Sequence, residues 1–156
     1  MEKSGTEKSP FSKVCQVGVI VKDVDKAVEY YQALGIGPFE PSKTAHLITD
    51  RKVYGKPADD VKNKARLAQM MGQLHLELVQ PVSGESIQKE FLETKGEGIN
   101  HLGFFVDDID KETAKLEEKG FKVIASTRYA GGGGIAYFDT DKVGGAIFEL
   151  IQLPPE

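Results

Sequence analysis

The chain has 156 residues, a length typical of one globular domain. Its hydrophobic fraction of 40% and charged fraction of 28% argue against a mainly disordered or fibrous protein. The net charge of −4, without a block of lysine and arginine, argues against nucleic acid as a partner. No apolar run approaches the ~18 residues of a membrane-spanning helix, so no membrane partner is expected.

Residues 1–13 are polar and lack the apolar stretch of a secretory signal peptide, so they are predicted to be a flexible leader. A cytoplasmic location follows by default. The single cysteine, Cys15, excludes an internal disulfide and a cysteine zinc site, which fits a reducing compartment. One domain is predicted over residues 14–153.

The chain contains an internal repeat. Residues 17–35 align without a gap with residues 102–120 at an offset of 85, and six positions are identical. A second similarity, at an offset of 72, relates residues 75–80 to residues 147–152. Because a duplicated motif can place residues from both copies around one central site, the repeat predicts two equivalent modules.

Each module is predicted to have the element order βαβββ. A strand comes first, followed by a helix that begins after an acidic cap and ends at glycine. A short helix near residues 86–94 is predicted to join the modules, whereas residues 41–60 show no regular pattern. The predicted segments are strands at about 14–22, 62–70, 99–107, 121–128 and 134–139, helices at about 24–34 and 109–119, and modules at about 14–81 and 99–153.

Strand alternation places several polar residues on the face that does not meet the helices. In the first strand, Gln16 is predicted on this face and Cys15 on the opposite one. Before the linker, His75 and Glu77 alternate with leucines and therefore share the polar face. A carboxylate among apolar neighbours is costly unless it is paired or bound to a metal ion.

The repeat makes Gln16 equivalent to His101 and makes Glu77 equivalent to Glu149. If both modules curl around one cavity, these four side chains converge in a pseudo-twofold arrangement. One imidazole, two carboxylates and one amide oxygen suit a divalent transition metal with positions open for substrate. The alternatives are an ordinary core histidine for His101 and a hydrogen bond within the sheet for Gln16.

At these residues the chain resembles the vicinal oxygen chelate superfamily, which includes the glyoxalase and bleomycin resistance proteins. The resemblance covers about residues 14–153, and residues 96–110 (GEGINHLGFFVDDID) and 144–154 (GGAIFELIQLP) are most similar to methylmalonyl-CoA epimerases. It implies an α+β fold of two βαβββ modules in a bowl-shaped mixed sheet, and a homodimer. It also implies metal-binding roles for His101 and Glu149.

The sequence departs from the epimerase pattern at three places. Gln16 stands where those epimerases carry histidine, and Glu77 stands where they often carry glutamine. The resulting ligand set is similar to that of eukaryotic-type lactoylglutathione lyase (glyoxalase I). Epimerases also place a further glutamate, proposed as a catalytic base, on the strand before Glu77, but residues 62–69 contain no carboxylate.

The activity that the resemblance implies is metal-dependent epimerisation of a CoA thioester. A divalent ion of cobalt, manganese, nickel or zinc would stabilise the enolate formed when a proton leaves the carbon next to a carbonyl. Glu149 and Glu77 are predicted to flank that carbon, one removing the proton and the other returning it. The alternatives are isomerisation of the lactoylglutathione lyase type and a non-catalytic ligand-binding protein. An extradiol dioxygenase needs two histidines and one carboxylate around iron, a set that Gln16 breaks.

Two further residues are candidates for substrate contacts. His75 shares the predicted face of Glu77, with a peripheral position as the alternative. Arg128 lies close to the glycine run at residues 131–134 and could contact a polar tail of the substrate. A basic stretch could attract CoA phosphates or form a solvated face; it comprises Arg51, Lys52, Lys56, Lys62, Lys64 and Arg66.

Overall fold

The structure, a computed structural model, describes residues 8–156, and in this range it contains ten strands, three α-helices and three short 3-10 helices. None of these helices is long and apolar enough to cross a membrane. The α-helices are α1 (Val24–Ala33), α2 (Ile87–Lys95) and α3 (Ile109–Glu118). The strands are β1 (Val14–Ile20), β2 (Phe39–Pro41), β3 (Ile48–Val53), β4 (Lys56–Pro57), β5 (Lys62–Gln69), β6 (His75–Ser83), β7 (Gly98–Phe105), β8 (Val123–Tyr129), β9 (Gly134–Phe138) and β10 (Ile147–Gln152).

The strands of the described chain form one curled mixed sheet in the order β2-β5-β6-β1-β7-β10-β9-β8-β3-β4. Within each module the first and last strands are parallel, β1 with β6 and β7 with β10. The two modules meet at the centre, where β1 and β7 pair antiparallel. This arrangement confirms the α+β fold of two modules and places the equivalent strands β6, β1, β7 and β10 side by side.

The helices α1 and α3 begin and end as the repeat predicts. The side chains of Asp23 and Asp108 accept hydrogen bonds from backbone N–H groups of the first turn, which otherwise lack a partner. After each helix the chain turns at a glycine with positive φ, 87° at Gly35 and 92° at Gly120.

A glutamine at the end of each module adds a second cap. Gln80 Oε1 accepts a hydrogen bond of 3.0 Å from the backbone N–H of Val24, the first residue of α1. Gln152 Oε1 accepts an equivalent bond of 2.9 Å from Ile109 at the start of α3. The repeated glutamines therefore fix each helix to the last strand of its own module.

Residues 41–60, which show no clear pattern in the sequence, contain an extra hairpin. Strands β3 and β4 pair with each other, and β3 also pairs antiparallel with β8 of the second module. The first module completes its own βαβββ order with the short strand β2, which pairs with β5. Two strands of the first module's sequence thus extend the sheet of the second.

Two hydrophobic clusters lie between the helices and the sheet. In the first module Val24 of α1 packs with Val19, Val21 and Leu78. In the second module the buried members are Phe104, Ile109, Leu116, Ala136, Phe138 and Leu150. Because the helices cover this face, the other face of the central strands is left to form a site.

Part of the predicted leader packs on the domain. Residues 1–7 lie outside the described range, but Phe11 contacts the second module's cluster, with ring centroids 5.1 Å from Phe104 and 5.0 Å from Phe148. The edge-to-face geometry of these aromatic contacts is favourable. The residues just before β1 therefore contact the second module, and the flexibility predicted for the leader remains a prediction.

Candidate active site

The four side chains predicted from the repeat meet on the central strands. Gln16 lies on β1 and Glu77 on β6, whereas His101 lies on β7 and Glu149 on β10. Gln16 Nε2 is 3.2 Å from Glu77 Oε1 and 3.1 Å from Glu149 Oε2. His101 Nε2 is 3.2 Å from the same amide nitrogen and 3.3 Å from each of these carboxylate oxygens. We refer to these four residues as the central cluster.

Two glycines on the same strands make room for the central cluster. A Cβ at Gly18 would lie 1.9 Å from Cε1 of His101, and a Cβ at Gly103 would lie 2.9 Å from Cβ of Gln16. In the register, Gly18 stands beside Glu77 and Gly103 beside Glu149. The repeated glycine in the middle of a strand therefore marks a close approach of side chains from the neighbouring strands.

The orientation of the His101 ring is set by its neighbours. Its Nδ1 lies 3.0 Å from Oδ1 of Asn100, an oxygen that can only accept, so Nδ1 donates and Nε2 is directed toward the cluster. The Tyr137 ring stands edge-on to the imidazole, with centroids 5.5 Å apart and planes at 87°. Asn100 and His101 are both fully buried, so the ring is held in one position.

Burial controls the charges in the cluster. Burial raises the pKa of Glu149 to about 7, the charge of Glu77 adds to this effect, and His101 opposes it. For His101, burial disfavours protonation, but the negative charges of Glu149 and Glu77 outweigh burial and raise its pKa. Tyr137, the cross-strand neighbour of Glu149, donates a hydrogen bond to that carboxylate. The two carboxylates therefore favour a positive charge at the imidazole position over an uncharged one.

The donor set of one imidazole, two carboxylates and one amide suits a divalent cation in its chemistry. Neighbouring ligands about 2.1 Å from an ion lie roughly 3.0 Å apart in octahedral and roughly 3.4 Å apart in tetrahedral geometry. The contacts given above for the cluster lie between 3.1 and 3.3 Å.

Cation binding would require the side-chain amide of Gln16 to change its orientation. Among the described residues, no group of three or more histidine, cysteine and acidic side chains is arranged to hold a metal ion. In the cluster the amide nitrogen of Gln16 contacts the other three residues, and an amide nitrogen does not bind cations. A half-turn of the amide brings its oxygen to the same place, which completes a set of four ligand atoms.

The cluster lies at a cavity of about 530 Å³, a size typical of small-molecule sites. Gln16, Glu77 and Glu149 line the cavity, while the His101 ring is fully buried behind them. Both modules contribute to the walls, with apolar residues that include Leu67, Val79, Phe105, Ile135 and Ile151. An apolar cavity with a few convergent polar groups can hold a substrate whose carbonyl or carboxylate end faces the cluster.

The two predicted substrate contacts lie in different places. His75 lines the cavity, half-buried, with Nδ1 3.0 Å from the backbone oxygen of Gln73. Arg128 does not line the cavity, and its guanidinium pairs with Asp110 of α3. Alternation along β8 directs Tyr129 into the cavity and Arg128 toward the helix, and a substrate contact of Arg128 remains a prediction.

Cys15 also differs from its predicted position. The pairing of β1 with β7 shifts register between Val14 and Gln16, which interrupts the alternation on which the prediction depends. Cys15 therefore lines the cavity together with Gln16. Burial raises the pKa of its thiol to about 12, with a further contribution from the charge of Glu149. The thiol is consequently neutral at physiological pH.

The sequence analysis did not identify Asn100 and Tyr137. Asn100 precedes His101 inside a strand, and two adjacent polar residues in a buried strand are a signal for a side-chain hydrogen bond. Tyr137 has no such signal, because an aromatic residue is common at any strand position. Its role depends on the register of β9 against β10, which pairs it with Glu149.

Comparisons with known proteins agree with this architecture. Residues 15–138 match the family described as the Glyoxalase/Bleomycin resistance protein/Dioxygenase superfamily. The uncharacterized protein YqjC of Bacillus subtilis (strain 168) is 28% identical over 83 residues, 52% of this chain and 59% of that protein. The match therefore spans less than two thirds of this relative's length.

Solved structures share the fold at low sequence identity. Methylmalonyl-CoA epimerase from Mycobacterium tuberculosis aligns with a TM-score of 0.70 and 22% identity, over 96% of this chain and 93% of that chain. A variant of the Streptomyces coelicolor methylmalonyl-CoA epimerase in complex with 2-nitronate-propionyl-CoA has a TM-score of 0.68 and 22% identity, over 91% and 97%. The hypothetical protein BH1468 from Bacillus halodurans C-125 has a TM-score of 0.65 and 20% identity, over 92% and 96%.

At these identities the structural likeness establishes the fold alone. The family match extends over both modules and over three of the four cluster residues, Gln16, Glu77 and His101. Together with the paired βαβββ architecture, this match shows that the chain belongs to the Glyoxalase/Bleomycin resistance protein/Dioxygenase superfamily.

Proposed function

We propose that the protein is a metal-dependent isomerase that epimerises a CoA thioester of the methylmalonyl-CoA type. The observation that carries the proposal is the placement of Glu77 and Glu149 on the two outer strands of the central four, with Gln16 and His101 between them. Structural neighbours with acyl-CoA ligands, such as 2-nitronate-propionyl-CoA and methylmalonyl-CoA, support a substrate of this class.

The residues that would hold the divalent ion are Gln16, Glu77, His101 and Glu149. When bound, the ion supplies positive charge to the carbonyl oxygen on which negative charge develops as the neighbouring proton leaves. Asn100 fixes the His101 ring through Nδ1, and the Gln16 amide would present its oxygen. Cobalt, manganese, nickel and zinc all accept such ligands.

Epimerisation needs proton transfer on both faces of the reacting carbon, and the two glutamates offer one group for each face. Glu149 is almost completely buried, with 1% of its side chain exposed, and Tyr137 donates a hydrogen bond to it. Glu77 is the more accessible partner, with 14% exposed. We assign proton removal and return to this pair because β5 carries no carboxylate toward the cavity, where Asn63, Ala65 and Leu67 stand instead.

The proposal is tested by proton exchange at C2 of methylmalonyl-CoA in deuterated water. The protein is stripped of metal and reloaded in turn with cobalt, manganese, nickel or zinc, and deuterium incorporation is followed by mass spectrometry. Metal-dependent exchange is expected. Stoichiometric metal binding without exchange for any of the four ions would contradict the epimerase proposal.

A second candidate is isomerisation of a glutathione hemithioacetal, as in lactoylglutathione lyase. The two carboxylates of the set Gln16, Glu77, His101 and Glu149 favour this activity. Compared with a site that has one carboxylate ligand, the bound cation is a weaker electrophile, and the glutamates are stronger bases because the cation withdraws less electron density from them. The same metal-loaded samples decide between the two activities when given methylmalonyl-CoA or the hemithioacetal of methylglyoxal. A non-catalytic binding protein would bind its ligand without turning over either compound.

The resemblance to this superfamily also predicts a homodimer. Sedimentation velocity of the purified protein measures the mass directly, and a dimer is the expected result. A monomer over the whole accessible concentration range would contradict this prediction.

A further inference from the structure

One wall of the cavity forms where β3 pairs with β8. In the register, Arg51 of β3 stands beside Thr127 of β8, and Tyr129 lies two residues further along β8. Because residues two apart share a strand face, Arg51 and Tyr129 are diagonal neighbours within reach of long side chains. Both line the cavity that contains the central cluster.

Arg51 brings a positive charge into this wall without a carboxylate partner among the residues that the structure describes. Its side chain is half-buried, and Nη1 donates a hydrogen bond of 3.0 Å to the backbone oxygen of Val61. A guanidinium carries five N–H donors in a planar fork, so the remaining donors are available to an acceptor in the cavity.

Tyr129 adds a second donor. Its side chain is buried, with 5% exposed, and its hydroxyl oxygen accepts a hydrogen bond of 3.2 Å from Oγ1 of Thr44. The oxygen is thus engaged as an acceptor, and the phenol's own proton is free to donate to another group. Burial raises the pKa of Tyr129 to about 12, so the phenol remains protonated at neutral pH.

This pair lines the same cavity as Glu77 and Glu149 of the central cluster. The charges of Glu149 and Glu77 also raise the pKa of Tyr129, whereas Arg51 lowers it. Tyr129 is therefore within electrostatic range of both Arg51 and the glutamates. An anion held by Arg51 and Tyr129 would therefore lie in the cavity that also contains the two glutamates.

We propose that Arg51 and Tyr129 form a carboxylate-binding subsite that holds a free carboxylate of the acyl group. The identity of the reacting centre rests on the function proposed above. A planar guanidinium matches the two oxygens of a carboxylate, and the phenol supplies a further donor. The subsite favours an acyl group with a carboxylate on the acidic carbon over the same thioester without it.

Calorimetric titration with three probes tests the subsite: methylmalonyl-CoA, propionyl-CoA, which lacks the carboxylate, and free methylmalonate. Arg51→Met should weaken binding of methylmalonyl-CoA by about tenfold to a hundredfold and leave propionyl-CoA unchanged. Tyr129→Phe should show a smaller loss, also confined to the carboxylate-bearing probes. Arg66→Met is the matched control, because Arg66 lies on β5, bonds a backbone oxygen and does not line the cavity.

The outcomes separate the subsite from the proposed function. Equal losses for both CoA compounds would place Arg51 at the phosphate tail and overturn the carboxylate subsite, as would unchanged affinities. If Arg51→Met fails to fold, Arg51→Lys replaces it, because lysine keeps the charge but lacks the planar guanidinium. The same loss of affinity, confined to the carboxylate-bearing probes, is then expected. If no CoA compound binds the wild type, the proposed function fails, and Arg51-dependent binding of methylmalonate still supports the subsite. No binding of methylmalonate would then overturn both.

Discussion

At the scale of single residues, Glu149 combines burial with a hydrogen bond from Tyr137 and contact with His101. We expect Glu149→Gln and Glu77→Gln each to reduce C2 proton exchange by about 10²- to 10⁴-fold, because each removes one proton-transfer group. Deuterium incorporation measures the effect, and Glu29→Gln, at an exposed position on α1, is the control. Full residual exchange in either variant would contradict the role of that glutamate.

Gly18 provides a test of the space that the cluster needs. A Cβ at Gly18 would overlap the His101 ring at 1.9 Å, so Gly18→Ala should cost about 1–3 kcal/mol of stability. It should also weaken metal binding roughly tenfold or more. Gly98→Ala on β7 is the matched control, since its Cβ would meet one atom, of Phe91, at 3.9 Å. Denaturant unfolding and metal titration of both variants provide the measurement, and equal effects would contradict the explanation.

The raised pKa of Glu149 predicts how stability depends on pH in the metal-free protein. Its pKa is 4.5 in the unfolded chain and about 7 in the folded protein, so between these values only the folded state keeps the proton. The stabilisation is complete below pH 4.5 and is lost as pH rises through about 7. We expect Tm to fall from about pH 5 to about pH 8, and Glu149→Gln to flatten this slope.

His101 acts in the same direction, because its pKa is also raised. Glu149→Gln should therefore leave a residual slope rather than none. A Tm of the metal-free protein that rises across this pH range would contradict a raised pKa for Glu149 and His101.

The sequence predicted the residues of the cluster because duplication supplies a comparison within one chain. Gln16 and His101 occupy equivalent positions, and so do Glu77 and Glu149, whereas the position equivalent to Tyr137 is Leu67, which has no hydroxyl. The sequence does not place Arg128, because its distance from the glycine run does not determine which strand face it occupies.

At the scale of elements, the glutamine caps predict a local loss of stability in each module. Gln80→Leu and Gln152→Leu each remove one acceptor for the first N–H of a helix, at Val24 and Ile109. Each should cost about 1 kcal/mol. Urea unfolding of the two single variants and the double variant is the measurement, with near-additive losses expected. A strongly non-additive result would contradict independent capping.

Most elements follow from the periodicity of hydrophobic residues and from helix-end signals, since acidic caps and glycines mark both ends of α1 and α3. The hairpin of β3 and β4 could not be predicted in the same way. Residues 48–53 mix Ile48 and Val53 with Thr49, Asp50, Arg51 and Lys52, and the register shift between Ile48 and Asp50 breaks any period of two. Their partner strand lies in the other module, so no local pattern indicates the pairing.

At the scale of the whole molecule, the central cluster connects the modules, because Gln16 and Glu77 come from the first and His101 and Glu149 from the second. A divalent ion should therefore stabilise the entire domain. An ion at about a hundred times its Kd should add about 2.7 kcal/mol, or roughly 5–10 °C in Tm. His101→Ala should abolish the shift, and His46→Ala, at an exposed position, should retain it. An equal shift in both variants would place the ion elsewhere.

The pairing of β3 with β8 has a consequence for the order in which the cavity is built during synthesis. The ribosome delivers β3 well before β8, which begins at Val123. Until then Arg51 has no Thr127 or Tyr129 beside it, and one wall of the cavity is missing. A nascent first module therefore cannot enclose a ligand, and binding begins only when the second module has emerged.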